Sequence, residues 1–404
     1  MEPRPFAKPY YFFFLFLPAG ISMGFVSVTL PYLLTQHGFS VAKTAGIVAL
    51  GVSANLWRFL WGPVADLTLS LRKWYWIGVI ASVVSLQLLC LTPFTLKGAI
   101  VLMIIVFISQ LSSTFVMLPL GGIMANRIPE EKKGQASGWY QAGNLGGVGL
   151  GGGAGLWLAN HFSVTIAGLV LCVMSLLSAL FIFFIEDVVR EKQETVSAAI
   201  GNLGKSILAM VRVPVILFVI ILICMPIGTG GASNLFSAIA TDWNASADTV
   251  ALVTGILSGM ISALGCVLGG FMADRWGVWV AYLGAGAIGA FCTIVMALAP
   301  MQPYVYIAGV LEYSFGLGLI NAAFSAVLLF AVGKKNASTK YAMLASLGNL
   351  PVVYMTTVDG WSHDKFNSKI MLLLEAGLCL LFVIICVFVI RWLKERNWLL
   401  KAVE

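Results

Sequence analysis

Apolar residues in this chain fall into long, nearly unbroken runs. They show neither the alternation of half-buried strands nor the three-and-four spacing of soluble amphipathic helices. Each run holds about 20 residues or more, enough helix to cross about 30 Å of hydrocarbon. Read in order, they predict twelve spans near 10–34, 44–65, 74–93, 98–120, 135–159, 163–185, 213–240, 248–272, 278–299, 303–333, 341–361 and 369–392. The first follows Arg4 and Lys8, as a signal sequence would. It is too long for one, and Pro18 and Gly20 interrupt it without a convincing cleavage site, so it reads as an uncleaved span. The predicted class is an all-α membrane protein.

The one long polar stretch, "EDVVREKQETVSAAIGNLGKS" from Glu186 to Ser206, lies near the midpoint and divides the spans six and six. The halves echo each other. "LPAG" at Leu17–Gly20 returns as "MPIG" at Met225–Gly228, "GPVAD" at Gly62–Asp66 as "GFMAD" at Gly270–Asp274, and "AGNL" at Ala142–Leu145 as "LGNL" at Leu347–Leu350. Three matches in order, at nearly one offset, indicate a duplicated six-helix unit. The expected domains are therefore a bundle over 1–185, a cytoplasmic linker over 186–212, a second bundle over 213–392 and a tail over 393–404.

Composition and charge agree. Hydrophobic residues make up 60% and charged residues 10%, with a mean hydropathy of +0.95, too little charge to cover a soluble surface of this size. With both termini cytoplasmic, nineteen Lys and Arg fall in inner segments and only Lys43, Lys97, Lys365 and Lys369 in outer ones. Arg58, left in the membrane, completes the 24. This bias sets the orientation and explains the net charge of +7 without a nucleic-acid partner. All seven cysteines lie in apolar spans, and His37, His161 and His363 lie at or near predicted outer ends. No metal site, cofactor or catalytic group is expected.

A parallel repeat of six spans is the layout of the major facilitator superfamily. "GGFMADRWG" resembles that superfamily's G-x-x-x-D-R-x-G loop motif, and "GPVADLTLSLRKW" resembles it with the basic residues displaced to Arg72 and Lys73. The resemblance implies a cytoplasmic gate latch built from Gly62, Asp66, Arg72, Gly270, Asp274 and Arg275. Here glycine allows close backbone approach, and the carboxylate suits a helix N-terminus. More finely, "LWRFLWGPVAD" is similar to the [FL]-K-[FL]-L-W-x-P-x-x-D stretch of the AmpG-type muropeptide permeases and acetyl-CoA transporters, with Arg58 in place of the common Lys. "GQASGWYQAGNLGGVGLGGGAGLWLA" is similar to their fifth helix, and "NRIP" carries Asn126 where Asp is usual. Siderophore permeases of the same clan match the length and span count better.

An ionisable side chain in mid-membrane is a functional candidate by default. Glu312, nine residues into the tenth span, is the expected proton-coupling group, since the resemblance puts the first, fourth, seventh and tenth helices around the cavity. The alternative is a structural Glu. Arg58 serves either as an ion-pair partner near the gate or as a fixed cation for an anionic substrate, with snorkelling to the interface a third reading. Glu375 and Asp359 lie nearer outer ends and read as structural. Cavity candidates are Ser22, Ser27, Ser113, Thr229, Asn234, Tyr313 and Asn321, with the repeat-related Asn144 and Asn349. Any Ser or Thr among them could simply bond its own helix. Pro18/Gly20 and Pro226/Gly228 read as paired hinges. The run "GNLGGVGLGGGAG" lacks the Lys-Ser/Thr of a phosphate loop and reads as a packing face, with the eighth helix the expected neighbour.

The expected function is secondary transport of a small organic solute by alternating access, coupled to protons as an uptake symport. The chain is not expected to be an enzyme. Muropeptide-, siderophore- or acyl-CoA-like solutes fit the resemblance. Proton-driven drug or metabolite efflux is the alternative, and an intramembrane transferase a distant one, disfavoured because no His lies in mid-span. The expected setting is a monomer in the lipid bilayer of a bacterial inner membrane.

Overall fold

The computed structural model describes residues 7–58, 60–61, 68–129, 133–187, 212–332 and 343–395. Among these the chain forms twelve successive helical segments: α1 (Tyr11–Gln36), α2 (Val41–Ser53), α3 (Leu71–Leu91), α4 (Ala99–Arg127), α5 (133–161), α6 (Val164–Phe184), α7 (Pro214–Ile223), α8 (247–276), α9 (Val278–Leu298), α10 (Pro303–Val332), α11 (Asn349–Lys365) and α12 (Ser368–Glu395). Eight of the helices are long and apolar enough to cross a membrane. Local chemistry sets their starts. The Ser70 hydroxyl caps α3 by accepting from Lys73 N, Ser163 caps α6 through Ile166 N, and Ser246 caps α8 through Thr249 N. Pro214 opens α7, where its missing N–H costs nothing. Gly277, the last residue of "DRWG", has φ +87°, a left-handed conformation that lets α8 turn directly into α9.

The chain divides into two compact units. The first comprises Met1–Phe39, Leu50–Ile200 and Ser246–Gly259, and the second Ser40–Ala49, Gly201–Ala245 and Met260–Glu404. α2 and α8 each contribute one part to each unit.

In the first unit α1 is the central helix. Phe12, Leu15 and Phe16 are buried against Tyr75 and Val79 of α3 and Val116 and Leu120 of α4, and the Tyr75 hydroxyl donates to Leu15 O at 2.9 Å. α1 also lies almost backbone to backbone on α5. A Cβ at Gly147 would stand 2.7 Å from Gly20 Cα, and one at Gly20 would stand 2.8 Å from Gly147 Cα. The Gly143–Gly155 run is thus a packing face, and α1 is its larger partner. Its expected neighbour α8 meets it further along, where a Cβ at Gly153 would come within 2.7 Å of Ala251 O. At this meeting α1, α5 and α8 each open into a wider π turn, over Phe25–Thr29, Leu150–Ala154 and Ala251–Leu257. The Thr29 hydroxyl bridges Gly151 O at 2.8 Å and Gly152 O at 3.0 Å, using carbonyls that the wider turn leaves accessible.

In the second unit α9 packs on α10 and α12. α8 meets α10 through glycines, a Cβ at Gly318 falling 2.9 Å from Gly265 Cα. The sequence predicts a continuous seventh span over 213–240; instead α7 is only ten residues long, and the chain beyond Ile223 leaves regular helix.

Candidate functional site

α7 ends at Ile223, and no regular helix resumes before the short 3-10 turn at Ala232–Asn234. Gly228 and Gly230, at φ +56° and +78°, take the left-handed backbone that only glycine adopts cheaply. A break inside an apolar segment frees carbonyls that water cannot serve, so side chains must. The Tyr354 hydroxyl donates to Cys224 O at 2.8 Å, Ser233 to Gly230 O at 2.6 Å, Thr356 to Gly231 O at 3.5 Å and Tyr306 to Phe236 O at 3.0 Å. Two of these donors sit on α11 and one on α10, so the break is held open from the neighbouring helices.

Two buried carboxyl groups face this segment. Glu375 on α12 is 7% exposed. Its Oε1 accepts from the Tyr313 hydroxyl at 2.7 Å and from Ala232 N–H at 3.5 Å, while Oε2 makes no hydrogen bond of ordinary geometry. Asp359 on α11 is fully buried, and neither of its carboxyl oxygens has a hydrogen-bond partner. Its Oδ2 lies against Gly231, where an added Cβ would stand 2.5 Å away, so any larger residue there would displace the carboxyl. Thr356, Asp359 and Ser362 recur at three-residue spacing and form a buried polar stripe along α11. Thr356 also accepts from Asn234 Nδ2 at 3.1 Å. Beside Glu375 lies a cavity of about 30 Å³, lined by Pro226, Thr229, Thr293, Tyr313 and Cys379. At roughly 10–15 Å³ per water, this is room for two or three waters.

Several predicted residues converge here: Thr229, Asn234 and Tyr313, together with the Pro226/Gly228 break. Glu312 does not. It is exposed on the face of α10 that carries Tyr304 and Ala308, next to Cys292 of α9. The burial on which its expected role depended is found at Glu375 and Asp359, both of which read as structural from sequence. Their signal was present as two carboxyl groups in apolar spans, one of them in the polar stripe of α11. Asn321 is exposed. Asn349 bonds Ala345 O and Ser346 O of its own segment, Ser27 bonds Met23 O and Ser113 bonds Ser109 O. Asn144 reaches Gln141 Oε1 at 3.4 Å. Ser22 belongs to a buried network with Ser109 Oγ at 2.8 Å and Gln110 Nε2 at 3.2 Å. The hinge pair is unequal, because Pro18 and Gly20 stay inside regular helix where their counterparts open the chain.

Of the gate motif, Gly62 and Asp66 lie outside the described residues, as does the Asp274 side chain. Arg72 donates to Ile185 O, and its backbone N–H donates to Asp187 Oδ1 at 3.3 Å. Arg127, 7% exposed, adds bonds from Nε to Glu186 O at 3.1 Å and from Nη2 to Asp187 O, with an ion pair to Glu186 at 3.2 Å. Both arginines therefore clamp the chain where it leaves α6. The close backbone approach expected at Gly270 occurs one residue earlier. A Cβ at Gly270 would meet nothing within 4 Å, whereas one at Gly269 would lie 2.9 Å from Leu319 Cα and against Leu319 O. Arg275 is exposed, over the Phe271 ring at 5.8 Å. Arg58 is partly buried, with Nη1 at 3.9 Å from Met117 Sδ.

At the far end of α11, His363 Nε2 meets Asp242 Oδ2 at 2.8 Å, and the Ser368 hydroxyl donates to the same oxygen. Burial alone would push the imidazole down and the carboxyl up. The hydrogen bond and opposite charge outweigh it, leaving His363 raised and Asp242 lowered from their ordinary values.

Twelve successive helical segments among the described residues, eight of them able to cross a membrane, with glycine-tight contacts and a broken helix, define a class of polytopic membrane carrier. The Major Facilitator Superfamily model matches residues 12–356, and the chain belongs to that family. It is a multi-pass membrane transporter of small molecules, not an enzyme. No curated protein matches it. Among solved structures it is similar to the nucleoside transporter NupG (D323A mutant), with a TM-score of 0.73 and 14% identity over 93% of this chain and 97% of that one. It is also similar to a D-xylose-proton symporter, with a TM-score of 0.70 and 17% identity over 93% and 95%. A POT family transporter in complex with a thioalcohol-conjugated peptide gives 0.71 and 10% over 94% and 95%. At these identities the likeness establishes the fold.

Proposed function

We propose that the chain is a proton-coupled secondary transporter that takes up a small organic solute by alternating access between two six-helix bundles, 1–185 and 213–392, joined by the 186–212 linker. The observation that carries this reading is the pair of buried carboxyl groups beside a broken helix, because intramembrane carboxyls are costly and mark ion pathways. The similar D-xylose-proton symporter supports coupling to protons. The muropeptide-, siderophore- or acyl-CoA-like solute class rests on the "LWRFLWGPVAD" stretch. Arg58, which has no carboxylate ion pair among the described residues, is the cation available to an anionic solute. The cytoplasmic placement of both termini, in a bacterial inner membrane, rests on the Lys and Arg bias, and the protein acts as a monomer.

Reconstituted protein is expected to accumulate a solute from this class saturably, and only while the vesicle interior is alkaline. Uptake that persists when the pH gradient is collapsed refutes proton coupling. Solute loss against its own gradient under the same driving force favours efflux.

A further inference from the structure

We infer that Asp359 and Glu375, with Tyr313 and the open segment of α7, form the site that takes up and releases the coupled proton. The inference rests on the coupled-transport reading and assigns it an address.

Asp359 Oδ1 and Oδ2 are buried without a partner, and Glu375 Oε2 makes no hydrogen bond of ordinary geometry, with the Thr229 hydroxyl and the Gly231 N–H nearby. Both groups reach adjacent residues of the broken segment, Asp359 at Gly231 and Glu375 at Ala232, which brings their charges together. Two ionised carboxylates so placed would each carry a desolvation cost of several kcal/mol and repel each other. A nearby cation could relieve this, but no Lys, Arg or His among the described residues forms an ion pair with either group. The imidazole one turn along α11, His363, is committed to Asp242. The other titratable neighbours are the Tyr313 phenol from α10 and the Cys379 thiol from α12. The part of α2 that packs on Gly360 contributes buried Thr44, while Lys43 is exposed. None of these supplies positive charge, so the pair is completed by a cation from outside.

The neighbouring atoms favour a proton over a metal ion. Glu375 Oε1 already accepts from two donors, the Tyr313 O–H and the Ala232 N–H, and no group of three or more His, Cys, Asp or Glu suited to hold a metal occurs among the described residues. Asp359 Oδ2 is pressed against Gly231. A proton on either carboxyl adds one O–H donor to a cluster rich in unused acceptors and reduces its negative charge by one. No other bond is made or broken.

The same atoms tie proton occupancy to the backbone of α7. Ala232 N–H donates to Glu375, Gly231 lies against Asp359, and Thr356, one turn before Asp359, donates to Gly231 O. Gain or loss of the proton changes the charge facing residues 229–232, where the chain is out of regular helix. Proton binding therefore biases the shape of the break.

Two measurements on the full-length protein test this. The hydrophobic reagent dicyclohexylcarbodiimide modifies protonated buried carboxyls, and mass spectrometry of the wild type locates the adduct. We expect it on Asp359 or Glu375, falling by about tenfold per pH unit once the pair ionises. Labelling at neither residue, labelling indifferent to pH, or labelling suppressed by sodium and not by alkali overturns the assignment. In proteoliposomes with a trapped pH dye, a muropeptide, ferric-siderophore and acyl-CoA panel is expected to drive proton entry in the wild type. Asp359→Asn and Glu375→Gln should each abolish it. Wild-type coupling preserved in both variants overturns the site. Absent coupling in the wild type, with labelling that still titrates, removes the coupled-transport reading and leaves the proton site standing.

Discussion

Replacing His363 by Gln keeps a polar side chain of similar reach while removing the titrating group. The contact at stake is short, 2.8 Å from Nε2 to Asp242 Oδ2, with side-chain exposures of 16% for His363 and 32% for Asp242. It ties the end of α11 to the 3-10 turn at Ala240–Trp243, and Ser368 brings the start of α12 to the same carboxylate. A hydrogen bond with a charged partner contributes about 1.5–3 kcal/mol when buried. Asp242 is a third exposed, and solvent screening reduces this to about 1–2 kcal/mol. In a chain of this length such a loss lowers Tm by roughly 1–3 °C. The pH dependence has a definite sign. The raised imidazole stabilises the fold while it is protonated, and that contribution is lost as pH rises through its folded-state value. The lowered carboxyl stabilises the fold while ionised, and its contribution is lost as pH falls through its own. The His363→Gln deficit should therefore be greatest between the two values and shrink on both sides. On the alkaline side it should approach the about 0.5–1.5 kcal/mol of a neutral hydrogen bond. Thermal unfolding of detergent-purified wild type and variant across pH, with Asp242→Asn closing a double-mutant cycle, measures this. A deficit that stays constant into alkaline pH would show that charge is not what joins these segments.

Two further outcomes come from the packing. Gly147→Ala should destabilise the first unit by about 1–3 kcal/mol through overpacking, because its Cβ would stand 2.7 Å from backbone that cannot swing aside; Gly46→Ala, with nothing within 4 Å of its Cβ, should be neutral or slightly stabilising, and equal Tm values for the two would refute the close-packing account. Arg127→Lys keeps the charge but cannot reproduce the forked bonds to Glu186 O and Asp187 O, so limited proteolysis after α6 should accelerate several-fold, and an unchanged cleavage rate would deny the clamp.

Most of the helices were legible because an apolar run of twenty residues has few alternatives. The break after α7 was not. "MPIGTGGASNLFSAIA" carries no charge and reads as a continuation of the apolar run, and hydropathy does not register that Gly228 and Gly230 turn left-handed. Nor does it reveal that the freed carbonyls find donors on Tyr354 and Thr356, more than a hundred residues away. Glu312 was misplaced for a related reason. Counting along a helix gives depth but not face, and on α10 Glu312 shares its face with exposed Tyr304 while Tyr313, the next residue, points inward to Glu375. The basic residue of the loop motif, Arg72, was visible in sequence; its acceptor Ile185, just past the end of α6, is more than a hundred residues away and leaves no local trace.

The three π turns have a consequence for how this chain tolerates changes in length. A π turn accommodates one surplus residue in a helix, and one residue corresponds to about 100° of rotation at 3.6 per turn. A helical wheel drawn straight through Tyr11–Gln36 therefore misassigns every face beyond Thr29. Deleting one residue at Phe25–Thr29, Leu150–Ala154 or Ala251–Leu257 would restore a regular helix while swinging the rest of that helix round by the same angle. Because the three turns meet, a deletion in one is compatible with the others only if its neighbours are re-phased. A one-residue change of length in α1, α5 or α8 is thus expected to need a matching change in the other two.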